Sequence, residues 1–155
     1  LPALSATPHT AAAPAAARKI EPAVLLGARL YPDMFPFTRQ VQLASDFAKG
    51  AGARLAGLEV PRYEDTETTF DELKARIGRT LDFLDGLKPA QFEGAEEREI
   101  ALTIAGQPIR FKGLGYLTGF ALPNFYFHAA TAYDILRHCG VEIGKRDFMG
   151  SLPTL

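Results

Sequence analysis

The chain has 155 residues, enough to bury a real core in one domain and short for two. A hydrophobic fraction of 47% and a charged fraction of 23% fit a globular protein, and a net charge of −1 leaves no basic field for nucleic acid or an anionic membrane. The single cysteine, Cys139, excludes an intrachain disulfide and a cysteine-cluster zinc site, and no apolar run approaches the roughly 18–20 residues that span a bilayer. A cytoplasmic location is the expectation, without nucleic-acid or membrane partners.

Leu1 to Ala17 is alanine-rich but interrupted by Pro2, Pro8 and Pro14, so residues 1–17 are read as an irregular or broken arm. The stretch lacks a basic leader and a continuous apolar run, so no intact signal peptide is expected. Because it opens on Leu1 and not on Met, a truncated or processed start is expected. Glu21 to Leu30 reads as a short helix with Pro22 in its first turn, and Tyr31-Pro32-Asp33-Met34-Phe35-Pro36 as a turn. From Pro36 to Ala56 a long helix is predicted. Phe37, Val41, Ala44, Ala48, Ala51 and Leu55 share one face, and Gly57 stops it.

Glu59 to Thr68 is polar and contains Pro61, so a loop is expected there. Thr69-Phe70-Asp71-Glu72 has the form of a capping box. The helix that follows carries Phe70, Leu73, Ile77, Leu81, Leu84 and Leu87 at helical spacing and ends before Pro89. Arg98 to Lys112 alternates apolar and polar residues around Ala105-Gly106-Gln107-Pro108, the pattern of a β-hairpin that must pack on helices to be stable. Leu114 to Cys139 reads as a further helix kinked near Pro123, and Gly140 to Leu155 as an irregular tail, of which 151–155 lies outside the domain. By class this is mainly α: an antiparallel helical bundle, residues 18–150, with a small hairpin before the last helix.

The segment that carries chemistry is Pro123-Asn124-Phe125-Tyr126-Phe127-His128. Helical geometry puts Ala121, Phe125, His128, Ala132, Ile135 and Cys139 on one stripe, so His128 points inward, with Asn124 one turn before it on the stripe's edge. On the Pro36 helix Gln40 falls inside the apolar arc and can meet that pair across the bundle, while Gln42 faces away. A buried polar group must find a partner, since leaving it unpaired costs about 1–3 kcal/mol. His128 is thus either a ligand or acid/base group in an internal pocket, or a structural histidine bonded to the next helix. Tyr31 and Asp33, at one bundle end, are further ligand-binding candidates; Asp33 otherwise anchors its turn or caps the helix. Arg39 and His138 are expected at the surface, His9 carries no ligand-type neighbours, and Cys139 is expected to be a small buried hydrophobe.

Arg29 to Ala56, Glu67-Thr68-Thr69-Phe70, the run from Gly119 through Pro123-Asn124-Phe125-Tyr126-Phe127-His128 to His138, and Gly144-Lys145-Arg146-Asp147-Phe148 together resemble a bacterial family of unknown function in the DinB/YfiT-like superfamily. The resemblance covers roughly Arg18 to Gly150 and implies a four-helix bundle, often a homodimer. Superfamily members include metal-dependent thiol transferases whose site resembles three histidines. On this sequence those positions match Gln40, Asn124 and His128. Two are amides, poor donors for zinc or nickel beside imidazole, so no tight metal site and no cofactor is expected, and a divalent metal would bind only weakly. Three functions emerge as expectations: a small-molecule-binding or catalytically degenerate bundle, a metal-dependent or His128-assisted transferase or hydrolase, and a purely structural or dimerisation domain.

Overall fold

The computed structural model describes residues 21–150; the expectations for residues 1–17 and 151–155 lie outside that range. Within it the chain is mainly helical, with one small antiparallel hairpin. Helix α1 spans Pro22–Gly27, α2 Phe37–Ala56 and α3 Phe70–Asp85, followed by a 3-10 turn at Pro89–Phe92. Strands β1 (Glu99–Ile104) and β2 (Gln107–Lys112) lead into α4 (Gly113–Tyr116), a π-helical segment (Leu117–Ala121) and α5 (Leu122–His138). A last short helix, α6, covers Lys145–Met149.

The helices begin and end where local chemistry sets them. Pro22 occupies the first turn of α1, where its missing N–H costs nothing. Glu72 N–H donates to Thr69 Oγ1 at 3.2 Å, and the Glu72 carboxylate accepts from Thr69 N–H at 3.0 Å, so the capping box is complete. Gly57, with φ of 72°, takes the left-handed conformation that ends α2. Arg98 then donates to the Leu55 carbonyl and places a cation at the negative end of that helix.

Helix α2 is the axis of the fold, packing most extensively on α5 and next on α3. The main core joins Leu25 and Leu26 of α1, Phe37 and Val41 of α2, Phe70, Leu73 and Ile77 of α3, and Ala129, Ala132, Ile135 and Leu136 of α5. The Phe37 and Phe70 rings meet at 5.8 Å, and burying an aromatic of this kind stabilises by about 2–3 kcal/mol. A second core sits at the other end of α2, where Leu55 meets Ile100, Tyr116 and Ala121, with Phe92, Phe111 and Phe120 packed around them. The hairpin therefore does lean on helices, as a two-stranded ribbon must.

Several boundaries depart from the sequence expectations. The first helix stops at Gly27, short of Leu30. The hairpin turn is only Ala105-Gly106, both with positive φ (49° and 79°), while Gln107 and Pro108 pair in β2 with Ile104 and Thr103. That is the two-residue turn whose twist matches the strands. Before the last helix the irregularity precedes Pro123: the chain widens into π geometry at Leu117–Ala121. The expected irregular tail contains α6, started by Asp147, whose carboxylate accepts from Gly144 N–H at 2.6 Å. No helix among the described residues is long and apolar enough to cross a membrane.

Candidate functional site

Gln40 and His128 come together. Gln40 is 1% exposed and His128 8%, and His128 Nδ1 lies 2.7 Å from Gln40 Oε1 across the α2–α5 seam. The orientation of the amide is fixed independently, because Gln40 Nε2 donates to the Phe35 carbonyl at 3.1 Å. Its oxygen must face the imidazole, so Nδ1 carries the proton and donates, and Nε2 holds the free lone pair. Nε2 has no hydrogen-bond partner among the described residues. Phe47 stacks on the imidazole at 5.6 Å with planes 15° apart. Burial, and secondarily the charge of Arg39, push the His128 pKa below the ordinary imidazole value, so the ring is neutral at pH 7.

Asn124 does not join that pair by a hydrogen bond. Its Nδ2 donates to the Phe120 carbonyl at 2.8 Å, one turn back, which satisfies a carbonyl in the π-helical segment. Tyr31 is exposed and lines a surface hollow of about 420 Å³ with Arg29, Leu30 and Pro32. Asp33 is exposed as well and makes no hydrogen bond among the described residues, so the expected anchoring role in its turn is absent. The turn is closed instead by Met34 N–H donating to the Tyr31 carbonyl at 3.0 Å. His138 is exposed, and Cys139 is half-buried against the main core, where burial raises its thiol pKa.

The largest polar assembly lies elsewhere, on the α2–α3 seam, and sequence patterning did not reveal it. Arg76 is 1% exposed and meets Asp46 at 2.8 Å, Asp65 at 2.9 Å and Glu67 at 3.0 Å, and it donates to the Glu64 carbonyl at 3.1 Å. Around it, Lys49 pairs with Asp46, Arg39 with Asp65, and Gln42 Nε2 donates to Glu67 at 2.9 Å. Gln42, expected to face away from the core, is therefore buried, and Arg39, expected in solvent, is half-buried. Tyr63 lies under the guanidinium of Arg79 at 4.1 Å and the ammonium of Lys49 at 4.6 Å. A signal was present: Arg76 sits at helical spacing between Leu73, Ile77 and Thr80, opposite the acidic run Glu64-Asp65-Thr66-Glu67.

Beside the Gln40–His128 pair runs a groove of about 520 Å³ between α2, α3, the π-helical segment and α5. Ala48, Ala51 and Gly52 of α2 form its floor, with Leu81 and Leu84 on one side and Leu117, Leu122 and Phe125 on the other. Small residues on α2 shape this space: Ala48 and Ala51 line it without filling it, while Gly52 lets Leu84 and Leu87 close in on α2, since a Cβ there would stand 2.5 Å from Leu84 Cδ2 and 2.9 Å from Leu87 Cδ1. Phe47 belongs to both features, lining the groove and stacking on His128, whereas Gln40 and His128 do not themselves line it.

A three-histidine metal centre does not fit these residues. Gln40 Oε1 is engaged by His128 Nδ1–H and Asn124 Nδ2 by Phe120, which leaves Nε2 of His128 as one good donor. No cluster of three histidine, cysteine, aspartate or glutamate side chains able to hold a metal ion occurs among the described residues.

The comparisons with known proteins agree with this architecture and add no reaction. A family model described as a domain of unknown function (DUF1993) matches residues 1–149. The crystal structure of a DinB family member protein from Shewanella denitrificans is similar, with a TM-score of 0.92 and 41% sequence identity over 99% of this chain and 86% of that one. No curated protein matches.

Proposed function

We propose, for a chain that belongs to the DUF1993 family, that it binds a small apolar molecule in the groove between α2, α3 and α5. The carrying observation is the groove itself. Its volume falls within the roughly 300–1,000 Å³ typical of small-molecule sites, and its walls are mostly carbon. The Gln40–His128 bond holds α2 and α5 in register behind it, with Phe47 as the shared wall. Antiparallel four-helix architecture over residues 18–150 belongs to the same proposal, supported by the packing of α2, α3 and α5 and by the likeness to the DinB family member. So does a homodimer, for which the exposed Leu122, Tyr126 and Phe127 at the start of α5 supply an apolar face; sedimentation analysis reads it directly. With Nε2 as the one good donor, divalent-metal binding at His128 is weak.

The test is binding of an uncharged apolar fluorescent probe. Wild-type protein is expected to bind it, and Ala51→Phe, which fills the floor of the groove, to weaken binding by about tenfold or more. Leu122→Trp, placed at the exposed lip, checks the result without overpacking the core. Unchanged binding in both variants refutes the groove as the site.

One observation favours a second reading, in which His128 acts as a general base. Its neutral ring presents Nε2 as a lone pair, with the tautomer set by Gln40. Nitrogen NMR of the imidazole distinguishes the tautomers, and an Nε2–H form would remove this reading.

A further inference from the structure

We infer that the ligand of the groove is an amphiphilic organic cation: an alkyl or aryl body seated against the apolar walls, with its ammonium group at the end marked by Asp85. The inference rests on the reading of the groove as a ligand site and adds the chemistry of what that site takes.

Charge is placed very unevenly around the groove. Its walls are otherwise apolar, and Asp85 is the single charged side chain among them. Asp85 is solvent-exposed, so water screens part of its field, and the low-dielectric walls beside it extend its reach on the side that faces the groove. A neutral apolar molecule would satisfy the walls and leave that field uncompensated, and a carboxylate-bearing one would be repelled by it.

Helix α3 adds to the same potential. A helix carries partial negative charge at its C-terminus, and basic residues in the last turn ordinarily offset it. Helix α2 has Arg54 in its last turn and α5 has Arg137 and His138. Helix α3 has no basic residue there; it carries Asp82 and Asp85 instead. Neither carboxylate enters a salt bridge among the described residues. The helix thus ends with its dipole and two carboxylates of the same sign, of which Asp85 lines the apolar groove and Asp82 does not. A cation from outside the chain, seated at Asp85, offsets that carboxylate and the helix end, and an apolar tail attached to that cation fills the space between the helices.

The experiment uses the full chain near pH 7 at low salt. Octylamine, octanol and octanoate, matched in length and differing in head-group charge, compete with the uncharged fluorescent probe. Octylammonium is expected to displace the probe at a concentration about tenfold lower than octanoate, with octanol between them. The ratio should fall severalfold toward one in Asp85→Asn, where only the helix end and Asp82 still favour the cation, and shrink when salt is raised to about 0.5 M. Asp85→Lys should invert the order; Asp85 is exposed, and circular dichroism confirms that the variants fold. Equal or tighter binding of octanoate by the wild type, or a cation preference undiminished in Asp85→Asn, overturns the inference while leaving the groove as a binding site. Probe binding that is indifferent to Ala51→Phe and Leu122→Trp overturns the groove and the inference with it.

Discussion

Helix α2 makes two seams of opposite character. Against α3 it is tied by charge: Arg76 sits under Asp46, Asp65 and Glu67, with Arg39, Lys49 and Gln42 completing the set. Against α5 it is tied by one neutral amide–imidazole bond among apolar side chains. The first seam gathers a segment without regular structure, Glu59 to Thr68, onto two helices; the second holds two helices beside an open groove. The difference teaches that buried polarity has separate uses in this fold. One is to fasten a loop, and the other is to keep a helix pair in register where packing is incomplete.

The contrast can be broken most severely at Arg76. Arg76→Ala leaves the buried Glu67 carboxylate, the half-buried Asp46 and the exposed Asp65 without their shared cation. It is expected to cost about 3 kcal/mol, since Lys49 and Arg39 still pair with the two aspartates, and the loss is read as a fall in the urea midpoint. Gln40→Leu comes next. It leaves His128 Nδ1–H and the Phe35 carbonyl without their partner, for an expected loss of about 1–3 kcal/mol by the same measurement. If Gln40→Leu proves as costly as Arg76→Ala, the two seams are not the distinct devices described.

The smallest effect is a pH dependence confined to the second seam. His128 is held below the ordinary imidazole pKa in the folded protein, so the unfolded chain binds its proton more readily. The stability this contributes is complete above the unfolded value of about 6.5 and is lost as pH falls through the folded value. His128→Gln should flatten that part of the stability profile, and NMR titration of the ring reads the depressed value directly. A His128 that titrates above the ordinary value removes the assignment of a buried neutral ring.

Sequence periodicity revealed most of the helices because their apolar stripes are real: Phe37, Val41, Ala44 and Leu55 are buried, as are Phe70, Leu73 and Ile77. The Thr69–Glu72 capping box was legible for the same reason, its partners being three residues apart. The Gln40–His128 contact could also be anticipated, since each residue lies on an inward face of its own helix. The burial of Arg76 and Gln42 went unread, because a pattern that takes polar residues as solvent-facing passes over the helical spacing of Arg76 with Leu73 and Ile77 and pairs neither residue with the acids of a neighbouring segment. The groove escaped too. It arises where Ala48 and Ala51 are too small to fill the space, and a hollow left by small side chains depends on three helices at once.

The π-helical segment at Leu117–Ala121 has a consequence for how length can vary in this chain. A π turn is in effect one extra residue carried inside a helix, and each added residue rotates the preceding part of the helix by about 100° relative to the part beyond it. Here the rotation lets Tyr116 and Ala121 serve the hairpin core while Ala129, Ala132 and Ile135 serve the main one. Removing a single residue from the segment would regularise the helix locally and swing the hairpin to a different side of α2. The segment therefore acts as a fixed coupling between two gear trains, where a shorter and smoother part would no longer mesh.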